Sequence, residues 1–181
     1  VKLKKEIGKD QAALLVVPDE IYRKTLADVV KQAAKGYKRI LYVTLNEPYD
    51  VLVRDFKERK IPLDKFYFVD ARTAVSNPSP RPIKNCTFVS SPEALTELKI
   101  AITKGCEKHK PEIVVLDSIS TLLSYLSDWT ITRWMHDVII KFKESNTAAV
   151  LLCLKRDEKS FLVKDISMFV GKIIHLIHWG R

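Results

Sequence analysis

The chain has 181 residues, 46% hydrophobic and 29% charged, which reads as a soluble globular protein with enough length for one domain, residues 1–181, around a real core. Its 31 basic and 22 acidic residues leave a net charge of +9, a balance that admits nucleic acid or an acidic partner. No apolar stretch is long enough to span a bilayer as a helix, so no membrane partner is expected.

The basic residues are scattered and alternate with acids, as from Arg54 to Arg59, and the densest run, Lys2-Leu3-Lys4-Lys5, is short. A solvated Lys-rich surface therefore explains the charge better than a nucleic-acid site. Abundant Lys with little Gln is also a thermophile's composition. The start, VKLKKEIGKD, lacks the apolar core of a signal peptide, which makes a cytoplasmic location the expectation. Cys86, Cys106 and Cys153 are odd in number and form no C-x-x-C. That argues against a disulfide framework or a zinc site and for a reducing compartment.

In chain order, Lys2 to Gln11 reads as a polar lead-in. Ala12 to Val17 is apolar throughout, as a strand covered on both faces is. A polar turn follows from Pro18. Thr25 to Lys35 has helical spacing, and Gly36 is placed to end that helix. Arg39 to Thr44 is a second strand. Pro48 to about Arg59 is a helix with Val51, Leu52 and Phe56 inward, and Pro48 at its first position. Lys65 to Asp70 is a third strand.

Arg72 to Asn85 carries Pro78, Pro80 and Pro82 and reads as a surface excursion. Cys86 to Val89 is a short strand. Ser91 is placed to cap the next helix, with Pro92 at its first position and an apolar stripe of Leu95, Leu98 and Ile102. Gly105 and Pro111 close that unit. Ile113 to Leu116 is a buried strand ending at Asp117-Ser118. Thr121 to Leu126 is a short helix or turn. Asp128 or Thr130 caps a helix with Ile131, Met135, Val138 and Phe142 inward. Ala148 to Leu154 and Lys172 to Ile177 are the last strands.

Helices alternating with strands predict an α/β fold of three layers: a mostly parallel central sheet with helices on both faces. Ligands of such sheets bind beyond the carboxyl ends of the strands. The polar residues there are Asp19, Glu20, Asn46, Glu47, Asp70, Asp117, Ser118, Lys155 and Arg156, which should converge on one edge.

The first strand-to-helix loop decides the function. The phosphate-binding pattern is G-x-x-x-x-G-K-[ST]. Laid over Pro18 to Thr25, it is met at Lys24 and Thr25, while Pro18 and Arg23 stand where the glycines belong. Glycine there allows positive φ and close approach of the backbone to phosphate. Pro18 fixes φ and removes a donor, although the Arg23 guanidinium can itself meet a phosphate. Asp19 and Glu20 add two carboxylates. At ~5 Å and an effective dielectric near 20, each repulsion costs roughly 3 kcal/mol. The polar start of an amphipathic helix accounts for Lys24-Thr25 without any phosphate.

Taken together, LLVV-loop-KT, RILYVTLNEP, KFYFVDA, SSPEALTELKIAI, PEIVVLDSISTLL and AAVLLCLKRD resemble the KaiC-like branch of the RecA superfamily, and more narrowly its archaeal members. The resemblance runs from about Gln11 to Trp179. It implies that Lys24 and Thr25 match the residues that bind phosphates and magnesium. It further implies that Asp117 matches the strand-end carboxylate holding that ion. Of the paired glutamates that activate the attacking water, Asn46 replaces the first and Glu47 matches the second. ATP and magnesium are the ligands so implied. The implied partners are further copies of the chain or related RecA-like subunits, since family members often form rings.

Three readings follow: a domain with little or no ATPase activity acting through protein association, an ATPase with an altered phosphate loop, and a nucleic-acid-binding module. Tyr125, Trp129 and Trp134 suit a stacking platform for single strands, but core or interface anchors is the better reading of them. His175 and His178, at i and i+3 in a strand, point to opposite faces and do not make a metal site.

Overall fold

A computed structural model describes residues 3–8 and 11–176. In chain order its elements are α1 (Leu3–Ile7), β1 (Ala12–Val17), α2 (Tyr22–Gly36), β2 (Ile40–Thr44), α3 (Tyr49–Glu58), β3 (Phe66–Asp70), α4 (Thr73–Ser76), β4 (Cys86–Phe88) and α5 (Leu95–His109). Then come β5 (Ile113–Asp117), α6 (Ile119–Leu123), α7 (Asp128–Glu144), β6 (Ala148–Leu154), α8 (Phe161–Ile166) and β7 (Lys172–His175). The seven strands form one sheet in the order β4-β3-β2-β5-β6-β1-β7, every neighbouring pair parallel.

Alternate strand residues feed two cores. Leu14, Val16, Leu41 and Val43 face α5, α7 and α8 on one side. Leu15, Val17, Tyr42 and Phe68 face α1, α2 and α3 on the other. Tyr42, Phe56, Phe66 and Phe68 cluster on that second side, with ring centroids 5.3–6.0 Å apart. The three-layer α/β architecture is the one expected from the alternating pattern. Because every neighbouring pair is parallel, the order β2-β5-β6-β1 places the carboxyl ends of these four strands side by side. That edge carries the site.

Several local expectations are corrected. The lead-in contains α1, whose Leu3 and Ile7 are buried against α2. Its two apolar residues are four apart, one helical turn, and charged neighbours conceal them. The first long helix starts at Tyr22, because a 3-10 turn at Asp19–Ile21 feeds directly into it. Ser91 does not cap α5; the Ala94 N–H donates to the Ser91 carbonyl, and the helix starts at Leu95. Ser90 instead ties back to Glu97 through its hydroxyl and its N–H.

Gly105 does not end α5 but lies inside it. A Cβ there would come 3.3 Å from a Leu41 methyl, so the missing side chain allows α5 to approach β2 closely. Lys110, with φ 45°, makes the left-handed turn after the helix. The cap of α7 is Ser127, whose hydroxyl accepts from the Thr130 N–H, while Asp128 accepts from the Leu162 N–H and joins α7 to α8. The sequence pattern did not reveal α8. The last strand ends at His175; Ile177, His178 and Trp179 lie outside the described residues.

Candidate functional site

Asp117 is the centre of the carboxyl edge. It ends β5 at the heart of the sheet and is 1% exposed. Its carboxylate is enclosed by three donors. The Tyr22 hydroxyl donates to Oδ1, the Asn46 amide donates to the same oxygen at 2.8 Å, and the Tyr42 hydroxyl donates to Oδ2 at 3.0 Å. The three come from different elements: Tyr22 opens α2, Tyr42 lies within β2, and Asn46 follows β2. Thr44 is the parallel partner of Asp117 in the neighbouring strand. Tyr42, two residues earlier on the same face, therefore reaches it along the strand.

Burial pushes the Asp117 carboxyl above the usual carboxylate range, and the Tyr22, Tyr42 and Asn46 hydrogen bonds pull against it. Burial, reinforced by the Asp117 charge, drives both phenols well above the usual tyrosine range, so they remain protonated donors. A second layer fixes the first. The Thr121 hydroxyl donates to the Asn46 carbonyl oxygen, and the Ser118 hydroxyl lies 3.2 Å from that of Thr121. The Asp117–Ser118 peptide bond is cis. Beside the cage is a hydroxyl-lined cleft of about 230 Å³, bounded by Tyr22, Ser118, Ser120, Thr121 and Arg156.

The other residues singled out from the sequence are placed as follows. Lys24 is exposed on the first turn of α2, whereas Thr25 beside it is 1% exposed and packed inward. Arg23 and Glu47 pair with one another at 3.5 Å on the surface, and Arg156 pairs with Asp19 at 3.1 Å. These two ion pairs bridge the loops after β1, β2 and β6 across the edge. Glu20 is exposed. Asp70 belongs to the fold's framework: it accepts N–H donors from Tyr49, Arg72 and Thr73 at 2.6–2.8 Å and the Thr73 hydroxyl at 2.5 Å. It thereby caps both α3 and α4.

The backbone between β1 and α2 is also committed. The Ile21 N–H donates to the Pro18 carbonyl at 3.2 Å, and the Tyr22 N–H to the Asp19 carbonyl. Sequence reasoning missed Tyr22 and Tyr42. A signal was present for Tyr42, since a phenol in the middle of the apolar strand ILYVT needs a buried hydrogen-bond partner. Nothing in the sequence pointed to Tyr22.

The remaining candidates separate cleanly. Trp134 is buried, with its indole N–H donating to the Leu95 carbonyl at 2.8 Å, while Trp129 and Tyr125 are exposed. His136 meets Asp165 at 2.8 Å, and His175 meets Glu158 at 3.1 Å. Among the described residues no group of three or more His, Cys, Asp or Glu side chains is arranged to hold a metal ion. Among them, too, no helix is long and apolar enough to cross a membrane.

No curated protein matches the sequence. In three dimensions the chain is similar to the crystal structure of a KaiC-like protein from the hyperthermophilic archaeon Pyrococcus horikoshii OT3. The TM-score is 0.68 at 15% identity, over 93% of this chain and 72% of that one, a likeness of fold alone. The family model for the KaiC ATPase matches residues 27–178, starting just beyond Thr25. That match spans most of the chain, and the chain belongs to the KaiC ATPase family.

Proposed function

We propose that this chain is a KaiC-family domain whose nucleotide pocket is filled by its own side chains, with little or no ATPase activity, and that it acts through protein association. The observation that carries this reading is the Tyr22 hydroxyl seated on Asp117. A magnesium nucleotide at this edge requires a strand-end carboxylate open to the ion, an accessible hydroxyl for the ion, and a loop whose N–H groups face the phosphates. The residues present do not fit that group. Both Asp117 oxygens are engaged by neutral donors, and Thr25 is packed inward. The Ile21 and Tyr22 N–H groups close a 3-10 turn. Glu47, the matching residue for the water-activating base, faces Arg23 at 3.5 Å on the surface.

ATP and magnesium are what the family binds, and displacing the phenol is what binding here would demand. The association reading draws on exposed apolar side chains: Ile100 on α5, Trp129 and Ile140 on α7, Phe161 on α8, and Met168 in the turn after α8. KaiC-like domains often oligomerise, and a second copy or a related RecA-like subunit is the partner this reading names.

Calorimetric titration of ATP and ADP with magnesium into the wild type and Lys24→Ala tests it, with sedimentation velocity on the same samples. The expected result is no Lys24-dependent heat, with self-association unaffected by nucleotide. Micromolar binding that disappears in Lys24→Ala, with hydrolysis to match, overturns it in favour of an ATPase using Lys24, Thr25 and Asp117.

A further inference from the structure

Five basic side chains meet at the opposite, amino-terminal edge of the sheet. Lys31 and Lys35 lie one turn apart on the same face of α2, Arg59 and Lys60 follow α3, and Lys65 precedes β3. They line a cleft of about 490 Å³, and no acidic side chain lines it with them. Roughly 16 Å of helix separates Lys24 from Lys35, so this cleft is distinct from the Asp117 edge.

The walls are held in place. The Lys65 ammonium donates to the Ala34 carbonyl at 2.7 Å, clamping the end of α2 to the entry of β3. Lys60 makes a left-handed turn at φ 56°, after which the Ile61 N–H returns to the Phe56 carbonyl at 2.8 Å. Ile61 is buried beneath the cations. Arg59 lies along Asp55 through its Nε only, at 2.8 and 2.9 Å. Among the described residues, Lys31, Lys35, Lys60 and Lys65 make no ion pair with an acid.

A cation near a helix carboxyl end has an ordinary explanation in the helix dipole, and Lys65 on the Ala34 carbonyl is such a case. Dipole compensation offsets only about half a charge at each helix carboxyl end. It does not call for five around one cavity, of which only Arg59 has an acidic partner among the described residues, Asp55. Four ammonium groups without an acidic partner favour the entry of a multivalent anion. Ammonium groups and an oriented guanidinium are the donors that phosphate oxygens select. The volume lies in the range of small-molecule pockets, about 300–1,000 Å³.

We infer that the cleft between α2 and α3 binds a compact polyanion carrying two or more phosphate groups.

The probe is sodium tripolyphosphate, titrated calorimetrically without magnesium at an ionic strength fixed with sodium chloride. It is run against the wild type, Lys24→Ala and the double variant Lys35→Ala/Lys60→Ala. Both lysines of the pair are exposed, and circular dichroism checks that the double variant is folded. The expected result is one-site micromolar binding in the wild type and Lys24→Ala, weakened at least tenfold in the double variant. Unchanged affinity in the double variant, or no saturable heat at all, overturns the inference. So does binding of a single-stranded oligonucleotide when tripolyphosphate is silent. Binding lost in Lys24→Ala but kept in the double variant overturns it too, and at the same time overturns the reading of a filled nucleotide pocket.

Discussion

Replacing Tyr22 by Phe removes one hydroxyl and leaves the ring in place. The oxygen it served, Asp117 Oδ1, lies on a 1% exposed residue and keeps only its bond from Asn46. A buried polar group that loses a partner costs about 1–3 kcal/mol. The surviving Asn46 bond puts the loss in the lower part of that range, about 1–2 kcal/mol. In a domain of this size each kcal/mol moves the melting temperature by about 2–4 °C, so a drop of about 2–8 °C is expected. The specific check is a double-mutant cycle with Asp117→Asn, read by urea denaturation. Because the two side chains touch, their coupling should approach 1 kcal/mol, well beyond the ~0.5 kcal/mol within which independent sites add. A Tyr22→Phe variant as stable as the wild type, with additive behaviour in the cycle, would refute the claim that this phenol occupies Asp117.

Two further outcomes follow from burial. Burial raises the Asp117 pKa in the folded state, so the stability it contributes is full below the unfolded value near 3.9 and is lost as pH rises through the folded value. The stability difference between wild type and Asp117→Asn, from urea midpoints, should therefore shift against the wild type as pH increases from about 4; a difference independent of pH contradicts the placement. Burial also pushes up the thiols of all three cysteines, Cys106 and Cys153 to about 11 and Cys86 further. A thiol-disulfide reagent at pH 8 should leave them unmodified in the native protein and titrate three thiols in guanidinium. Rapid native modification would show that the cysteines are accessible.

The sequence by itself determined the layers and most of the strands. Ala12–Val17 and Ala148–Leu154 are apolar without interruption, and only a strand covered on both faces tolerates that. The alternation with helical periods then required parallel crossovers, which bring the loop after each strand to a common edge. Short elements were harder to read. The five residues of α1 and the six of α8 offer too few turns for a periodic signal, and they are helical because they pack on α2 and α7. Helix starts were misplaced where a backbone turn, as at Ser91–Ala94, supplied the bond that a capping side chain was expected to make.

At the site, the sequence located Asp117, Asn46 and Glu47 on the right edge and left their relations open. Tertiary structure alone decided that Tyr22 and Tyr42, 95 and 75 residues from Asp117 in sequence, both donate to it. The same holds for the cationic cleft, whose lysines belong to α2 and to the connection between α3 and β3, each unremarkable when read singly. Periodicity reports which way a side chain faces relative to its own element. Which side chains meet across elements depends on strand order and crossover packing, and it is there that the chemistry of this protein is set.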